Sequence, residues 1–219
     1  MPLYTADALV LRTYKLGEAD RIVVFLTRDR GKKRGVAKGA RRPRSRFAGA
    51  LEPLTEARVA YFEKERRDLV GLNYAEVVRT PLALAGESAL GHVSYFAELL
   101  DEWAQEADAD DRLYRLGASM LDALASGVPV EPLARYFECW LLRLQGVYPE
   151  ARGALSDGAV AFLSASRSVA PRRVADLPAP RGVLQELETV HRALITMHLE
   201  KTLKSDRVLR DVRRQSSAS

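Results

Sequence analysis

The sequence predicts an α+β protein, a small β-barrel over residues 1–80 followed by a mainly α-helical domain over residues 81–219. Two observations carry this. Five short runs rich in apolar and β-branched residues, bounded by glycine, proline and aspartate, crowd into the first 80 positions. From Pro81 onward the apolar residues recur at helical spacing instead. With 47% hydrophobic residues in a chain of 219, both parts have enough apolar material to bury a core.

The strands are read in order. Ala8–Arg12 and Ile22–Thr27 are the clearest, separated by Gly17 and closed by Asp29-Arg30-Gly31. Arg34–Ala40 is a third, whose glycines Gly35 and Gly39 allow a bulge or a close backbone approach. Leu54–Phe62 and Asp68–Val78 alternate loosely and complete five. Five such strands suit a small closed barrel.

The helices follow. Val93, Phe96, Leu100 and Trp103 share one helical face, as do Leu113, Leu116, Met120 and Leu124. Pro132 stands where a first turn tolerates proline, and Leu133, Tyr136, Phe137, Trp140, Leu141 and Leu144 form a broad apolar face ending at Gly146. Val183, Leu187, Val190, Leu194 and Met197 make another stripe, and Ser205 is placed to cap a final helix. Residues 148–181 keep no period and read as an irregular insertion with a short helix near Ala159–Leu163.

Several function classes drop out. The longest apolar runs, Ile22–Leu26 and Ala159–Leu163, are five residues, against the roughly 20 a spanning helix needs. The opening Met1-Pro2-Leu3-Tyr4-Thr5-Ala6-Asp7 has no secretory n- or h-region, so a soluble cytoplasmic protein with no membrane partner is expected. One cysteine rules out an internal disulfide and a multi-thiolate zinc site. Gly31-Lys32-Lys33 lacks the hydroxyl and the upstream glycine of a phosphate-binding loop. His92, His191 and His198 are too scattered to join Cys139 as metal ligands, and Cys139 beside Trp140 reads as a small buried hydrophobe. The acids Glu98, Asp101, Glu102, Glu106, Asp108, Asp110 and Asp111 suggest either a two-metal nuclease cluster or a solvated helix face and loop; as consecutive acids at a loop, with no partner acid near a second element, they are better accounted for as the solvated face. No cofactor is expected, nor enzyme chemistry.

Charge is the positive signal. The net charge is +5, yet residues 28–46 hold ten basic side chains against one acid, Asp29, a local +9. A run of that density repels itself unless an anion is near, so its natural partner is a polyanion. Its glycines and the apolar Val36, Ala37, Phe47 and Leu51 suit an ordered hairpin rather than a loose tail. The candidate nucleic-acid contacts are Arg30, Lys32, Lys33, Arg34, Lys38, Arg41, Arg42, Arg44 and Arg46. Arginines suit bidentate phosphate contact and lysines act as point charges. Phe47 is the lone aromatic nearby, which favours grip on phosphates over base stacking. DNA and RNA are not separated by composition, and an RNA-binding barrel module in ribosome assembly or translation stands as the alternative.

Certain stretches resemble a known family. Gly17-Glu18-Ala19-Asp20-Arg21-Ile22-Val23, Thr27 to Gly31, and Gly35 to Phe47 are similar to the bacterial recombination mediators of the RecO family. The similarity resumes at Leu51-Glu52-Pro53-Leu54, Arg135-Tyr136-Phe137-Glu138 and Thr202-Leu203-Lys204-Ser205. The resemblance implies an OB-fold barrel and a C-terminal helical domain. It further implies binding of single- and double-stranded DNA, annealing of complementary strands, action with RecR, and help in loading RecA onto strands covered by single-strand-binding protein. A nucleoid-associated location follows from it, as does docking of the acidic tail of single-strand-binding protein on the helical domain, with Arg135, Lys204, Arg207 and Arg210 as candidate cationic rims beside Leu133 and Trp140. Many members carry a four-cysteine zinc motif after a turn like Gly146-Val147-Tyr148-Pro149; here Glu150–Pro178 has no cysteine, so no zinc is expected.

Overall fold

A computed structural model describes residues 2–63, 68–81, 87–148, 155–201, 203–205 and 209. Five strands open the chain: β1 (Leu3–Leu16), β2 (Asp20–Thr27), β3 (Gly31–Ala37), β4 (Glu56–Phe62) and β5 (Val70–Arg79). β1 pairs antiparallel with β2 and also with β4, β2 with β3, and β4 with β5, all antiparallel. A parallel pairing of β3 with β5 closes the order β1-β2-β3-β5-β4 into a barrel of the OB kind. That seam is the weakest, with three register pairs from Gly35–Val70 to Ala37–Leu72.

β1 pairs with β4 through Leu3–Leu9 and with β2 through Ala8–Leu16, and an irregularity follows the changeover. The register with β2 shifts between Val10 and Arg12, and Val10 exchanges backbone hydrogen bonds with Leu54 and Thr55 at 2.7 and 2.8 Å. Inside lie Ala8, Val10, Val23, Phe25, Ala57, Val59, Tyr61 and Leu72. Leu9 and Leu26 point the other way and are equally buried, so β1 and β2 are covered on both faces. This explains their near-continuous apolar runs where a one-sided strand alternates.

Helices make up the rest of the described chain. α1 (Glu87–Trp103) and α2 (Asp111–Ala125) are followed by α3 (Val130–Leu144), α4 (Asp157–Ala165), a 3-10 turn (Pro171–Asp176) and α5 (Arg181–Leu199). The chain gathers into two compact units, Met1–Leu84 with Val93–Leu121, and Ala85–His92 with Asp122–Ser219. In the first unit α2 meets β1 at Gly117, where a Cβ would stand 2.7 Å from the Cδ1 atoms of Leu9 and Leu100. A larger residue there would have to push those leucine ends aside.

The second unit rests on α3 packed against α5. Glu138 sits at its centre, 2% exposed, accepting from Arg135 Nη2 at 2.8 Å and lying 2.9 Å from His191 Nδ1. His191 Nε2 is 3.1 Å from the Tyr148 hydroxyl, and Glu188 lies 3.5 Å from Arg135 Nη1 and 2.8 Å from Arg192. α4 and the 3-10 turn lie in the stretch read as an irregular insertion, and α4 covers the predicted Ala159–Leu163. Gly158 admits Val183 at 2.8 Å from where a Cβ would be. Ser205 is itself helical rather than preceding the helix; most residues after it lie outside those described.

Candidate nucleic-acid interface

The third strand ends at Ala37, three residues before the sequence expectation, and this reorganises the basic segment. β3 crosses the barrel from one end to the other, about 20 Å at a strand's rise per residue. The ten cations are therefore not one patch. Arg28 and Arg30 lie in the turn before β3, Lys32 and Lys33 in its first half, and Lys38 to Arg46 beyond its far end.

The near-end cations are spoken for. Arg28 Nε donates to Asp111 at 2.8 Å. Arg30 lies 3.6 Å from Asp29 and stacks over the Tyr4 ring, 4.3 Å from its centroid. Lys32 Nζ donates to the Asp101 carbonyl at 2.6 Å and lies 3.4 Å from its carboxylate, with its side chain 16% exposed. Its backbone is held too: Lys32 N–H donates to Gln105 O at 3.1 Å, and Ala107 N–H to Lys32 O at 3.3 Å. Gly31 makes room, since a Cβ there would meet the Asp108 backbone at 2.3 Å. Lys33 Nζ donates to Glu63 at 2.7 Å.

Two of them are held by the acidic stretch, Lys32 by Asp101 and Arg28 by Asp111, which corrects the reading of its helical part as a solvated face, while Glu106 and Asp108 are exposed in the loop as expected. Glu98 and Asp101 are buried, and with Glu102 they surround Arg12 of β1 at 3.9, 3.1 and 3.6 Å. Their spacing puts them on one side of α1, turned towards the barrel's cations. That i, i+3, i+4 spacing was a signal in the sequence; its partners were not.

The far end differs. Residues 38–55 are not a hairpin but a succession of turns, with Arg42 N–H on Gly39 O, Ser45 N–H on Arg42 O, and Ala48 N–H on Ser45 O, each at 3.1 Å. Phe47, Ala50 and Leu51 are buried in the barrel core and pin the loop. The apolar positions face inward and the basic ones outward. Lys38, Arg42, Arg44 and Arg46 are exposed and meet no acid among the described residues; Arg46 has only the Phe47 ring, 5.1 Å from its Cζ. Arg34, exposed in mid-strand, joins them in lacking such a partner. Arg41 is different again: its Nη1 donates to Gly17 O and Glu18 O, both at 2.9 Å.

Comparison with known proteins agrees with this architecture. A family model described as Recombination protein O N terminal matches residues 1–81, and Recombination protein O C terminal matches residues 88–153. The chain is 34% identical to the DNA repair protein RecO of Koribacter versatilis, over 92% of this chain and 96% of that one. The chain belongs to the RecO family. It is 30% identical to the DNA repair protein RecO of Pelotomaculum thermopropionicum, over 94% and 93% of the two chains, and 45% identical to that of Bifidobacterium adolescentis, over 57% and 51%. This is a DNA repair and recombination protein with an OB-type barrel, and an RNA-binding module of ribosome assembly finds no counterpart among these relatives.

Two expectations drawn from the RecO resemblance meet the geometry of the second unit. Arg135 is not a surface cation: its side chain is 5% exposed and committed to Glu138 and Glu188, so it offers no rim to a peptide. Leu133 is buried as well. Lys204 is exposed, while Arg207 and Arg210 lie outside the described residues. The residues present do not fit the zinc of cysteine-bearing members. Cys139 is fully buried with its thiol pushed up to about 11 by that burial, and both ring nitrogens of His191 are taken by Glu138 and Tyr148. Among the described residues no three potential ligands gather. Nor, among them, is any helix long and apolar enough to cross a membrane.

Proposed function

We propose that the far end of the barrel is the DNA site, and that through it the protein binds single- and double-stranded DNA and anneals complementary strands. The reading rests on one observation: the far-end loop, anchored by buried Phe47, Ala50 and Leu51, carries exposed cations that meet no acid among the described residues, while those of the near end are neutralised by the protein's own acids. Lys38, Arg42, Arg44 and Arg46 hold phosphates, with Arg34 at the flank. Neutralising two strands at once lets their bases meet and releases counterions. None of these side chains is asked to read a base, so binding is indifferent to sequence. In this reading the protein acts as a recombination mediator, working with RecR and with single-strand-binding protein to load RecA; its action is by binding, without hydrolytic chemistry.

Salt dependence tests the site directly. With four phosphates engaged, log affinity against log salt falls with a slope of about −3.6 on duplex and about −2.8 on single strands. The test variant replaces Arg42 and Arg46 by alanine and Arg44 by glycine, because Arg44 adopts φ 59° and glycine keeps that turn. Its slope should fall to about −1 and its annealing should be lost, with the melting temperature held. An unchanged slope would place the DNA site elsewhere.

A further inference from the structure

The turn between β1 and β2 is tied to the basic loop by four hydrogen bonds. Gly39 N–H donates to Asp20 Oδ1 at 2.8 Å, and Arg41 N–H donates to Ala19 O at 2.9 Å. Arg41 Nη1 spans Gly17 O and Glu18 O at 2.9 Å each. Gly39 sits at φ 70° and Gly17 at φ 56°, so both turns reverse where glycine alone is unstrained. The tie is at the very root of the loop that carries Arg42, Arg44 and Arg46. Downstream, Ala40 N–H bonds back to Ala37 O and Arg42 N–H to Gly39 O, so the orientation set at Gly39 passes directly to the arginines.

Taken as charge alone, these two residues point in familiar directions. Asp20 is an acid beside a cationic surface and should weaken DNA binding; Arg41 is one more cation and should strengthen it as a phosphate contact. Their geometry says otherwise. Asp20 spends its carboxylate oxygen on a backbone donor of the loop, and Arg41 spends Nη1 on carbonyls of the neighbouring turn.

We propose that Asp20 and Arg41 are positioning residues for DNA binding: they clamp the loop root to the β1–β2 turn, so that the acid Asp20 strengthens DNA binding. This rests on the reading of the far end as the DNA site. A loop released from its root keeps its charges but loses their registration, so fewer phosphates are engaged at once and ordering the loop opposes binding.

Two pairs of variants of the full chain carry the test, read by the salt slope on one oligonucleotide. Asp20→Ala removes the acceptor and the charge together, while Asp20→Asn keeps an oxygen acceptor and removes the charge alone. Asp20→Ala should bind about fivefold more weakly with a flatter slope; Asp20→Asn should match the wild type or bind up to about twofold tighter. Arg41→Lys keeps the charge but not the two-carbonyl grip, and should flatten the slope by about 1, whereas a lysine in a plain phosphate contact would leave it unchanged. It also serves if Asp20→Ala fails to fold. Asp20→Ala binding as tightly as Asp20→Asn, both weakening alike, or Arg41→Lys keeping the wild-type slope would each overturn the clamp. The three-arginine variant separates the two levels: if it keeps the wild-type slope, the DNA site is wrong and this inference goes with it. If it loses the slope while the Asp20 pair agree, only the clamp is wrong.

Discussion

Lys32 belongs to the densest basic run in the chain, yet its partner is Asp101, and replacing it by methionine should expose the difference. Methionine keeps the buried stem and removes the ammonium. The loss is one charge-assisted hydrogen bond to the Asp101 carbonyl at 2.6 Å and an ion pair at 3.4 Å, at a side chain only 16% exposed. Such a bond contributes about 1.5–3 kcal/mol, and Arg12 remains 3.1 Å from Asp101, which favours the lower part of that range. For a chain of this size each kcal/mol moves the melting temperature by about 2–4 °C, so Lys32→Met should melt about 3–8 °C lower. Its DNA salt slope should stay at the wild-type value. Arg42→Ala is the mirror image: a slope flatter by about 0.7–0.9 and a melting temperature within about a degree. Calorimetry and a salt titration on both variants give four numbers. The reasoning fails if Lys32→Met flattens the slope by about 0.7–0.9 at unchanged stability, because the ammonium then leaves Asp101 for a phosphate.

The buried network of the second unit should be brittle. Glu138→Ala takes the carboxylate from His191 and leaves Arg135 with Glu188 at 3.5 Å, and should cost about 3–5 kcal/mol, a fall in melting temperature of at least about 6 °C, with Glu138→Gln intermediate; a shift under about 2 °C for the alanine variant would refute the network's weight. Metal should be irrelevant to stability: prolonged chelation should leave the melting curve unchanged, and one tightly held zinc per chain in the purified protein would contradict the ligand inventory. In the same sample Cys139, its thiol pushed up to about 11 by burial, should resist a disulfide reagent at pH 8 and react only on unfolding, since roughly one thiol in a thousand is ionised there.

Much of the fold was legible in the amino-acid order. The strands declared themselves because β-branched and apolar runs between glycine and aspartate have few other uses, and α3 because Leu133 to Leu144 repeat at a helical period. Boundaries were less legible. Arg34–Ala40 reads as a strand, but Gly39 at φ 70° donates its N–H to the Asp20 carboxylate and the strand ends at Ala37 instead. That bond joins residues 19 apart, and no local propensity encodes it.

The candidate site divides in the same way. Which residues are basic, how dense they are, and that a polyanion is their natural partner are properties of composition, and the sequence by itself determined them. Which of those cations are free was decided only in three dimensions, because neutralisation depends on distance and not on order. Lys32 and Arg42 look alike in the chain; one meets an acid carried by α1, far along the sequence, and the other meets none among the described residues. The same holds for Arg135, which reads as an exposed cation on an apolar helix and folds into the interior because Glu138 and Glu188 are there to receive it. A charge reports its sign in the sequence, but its partner only in the fold.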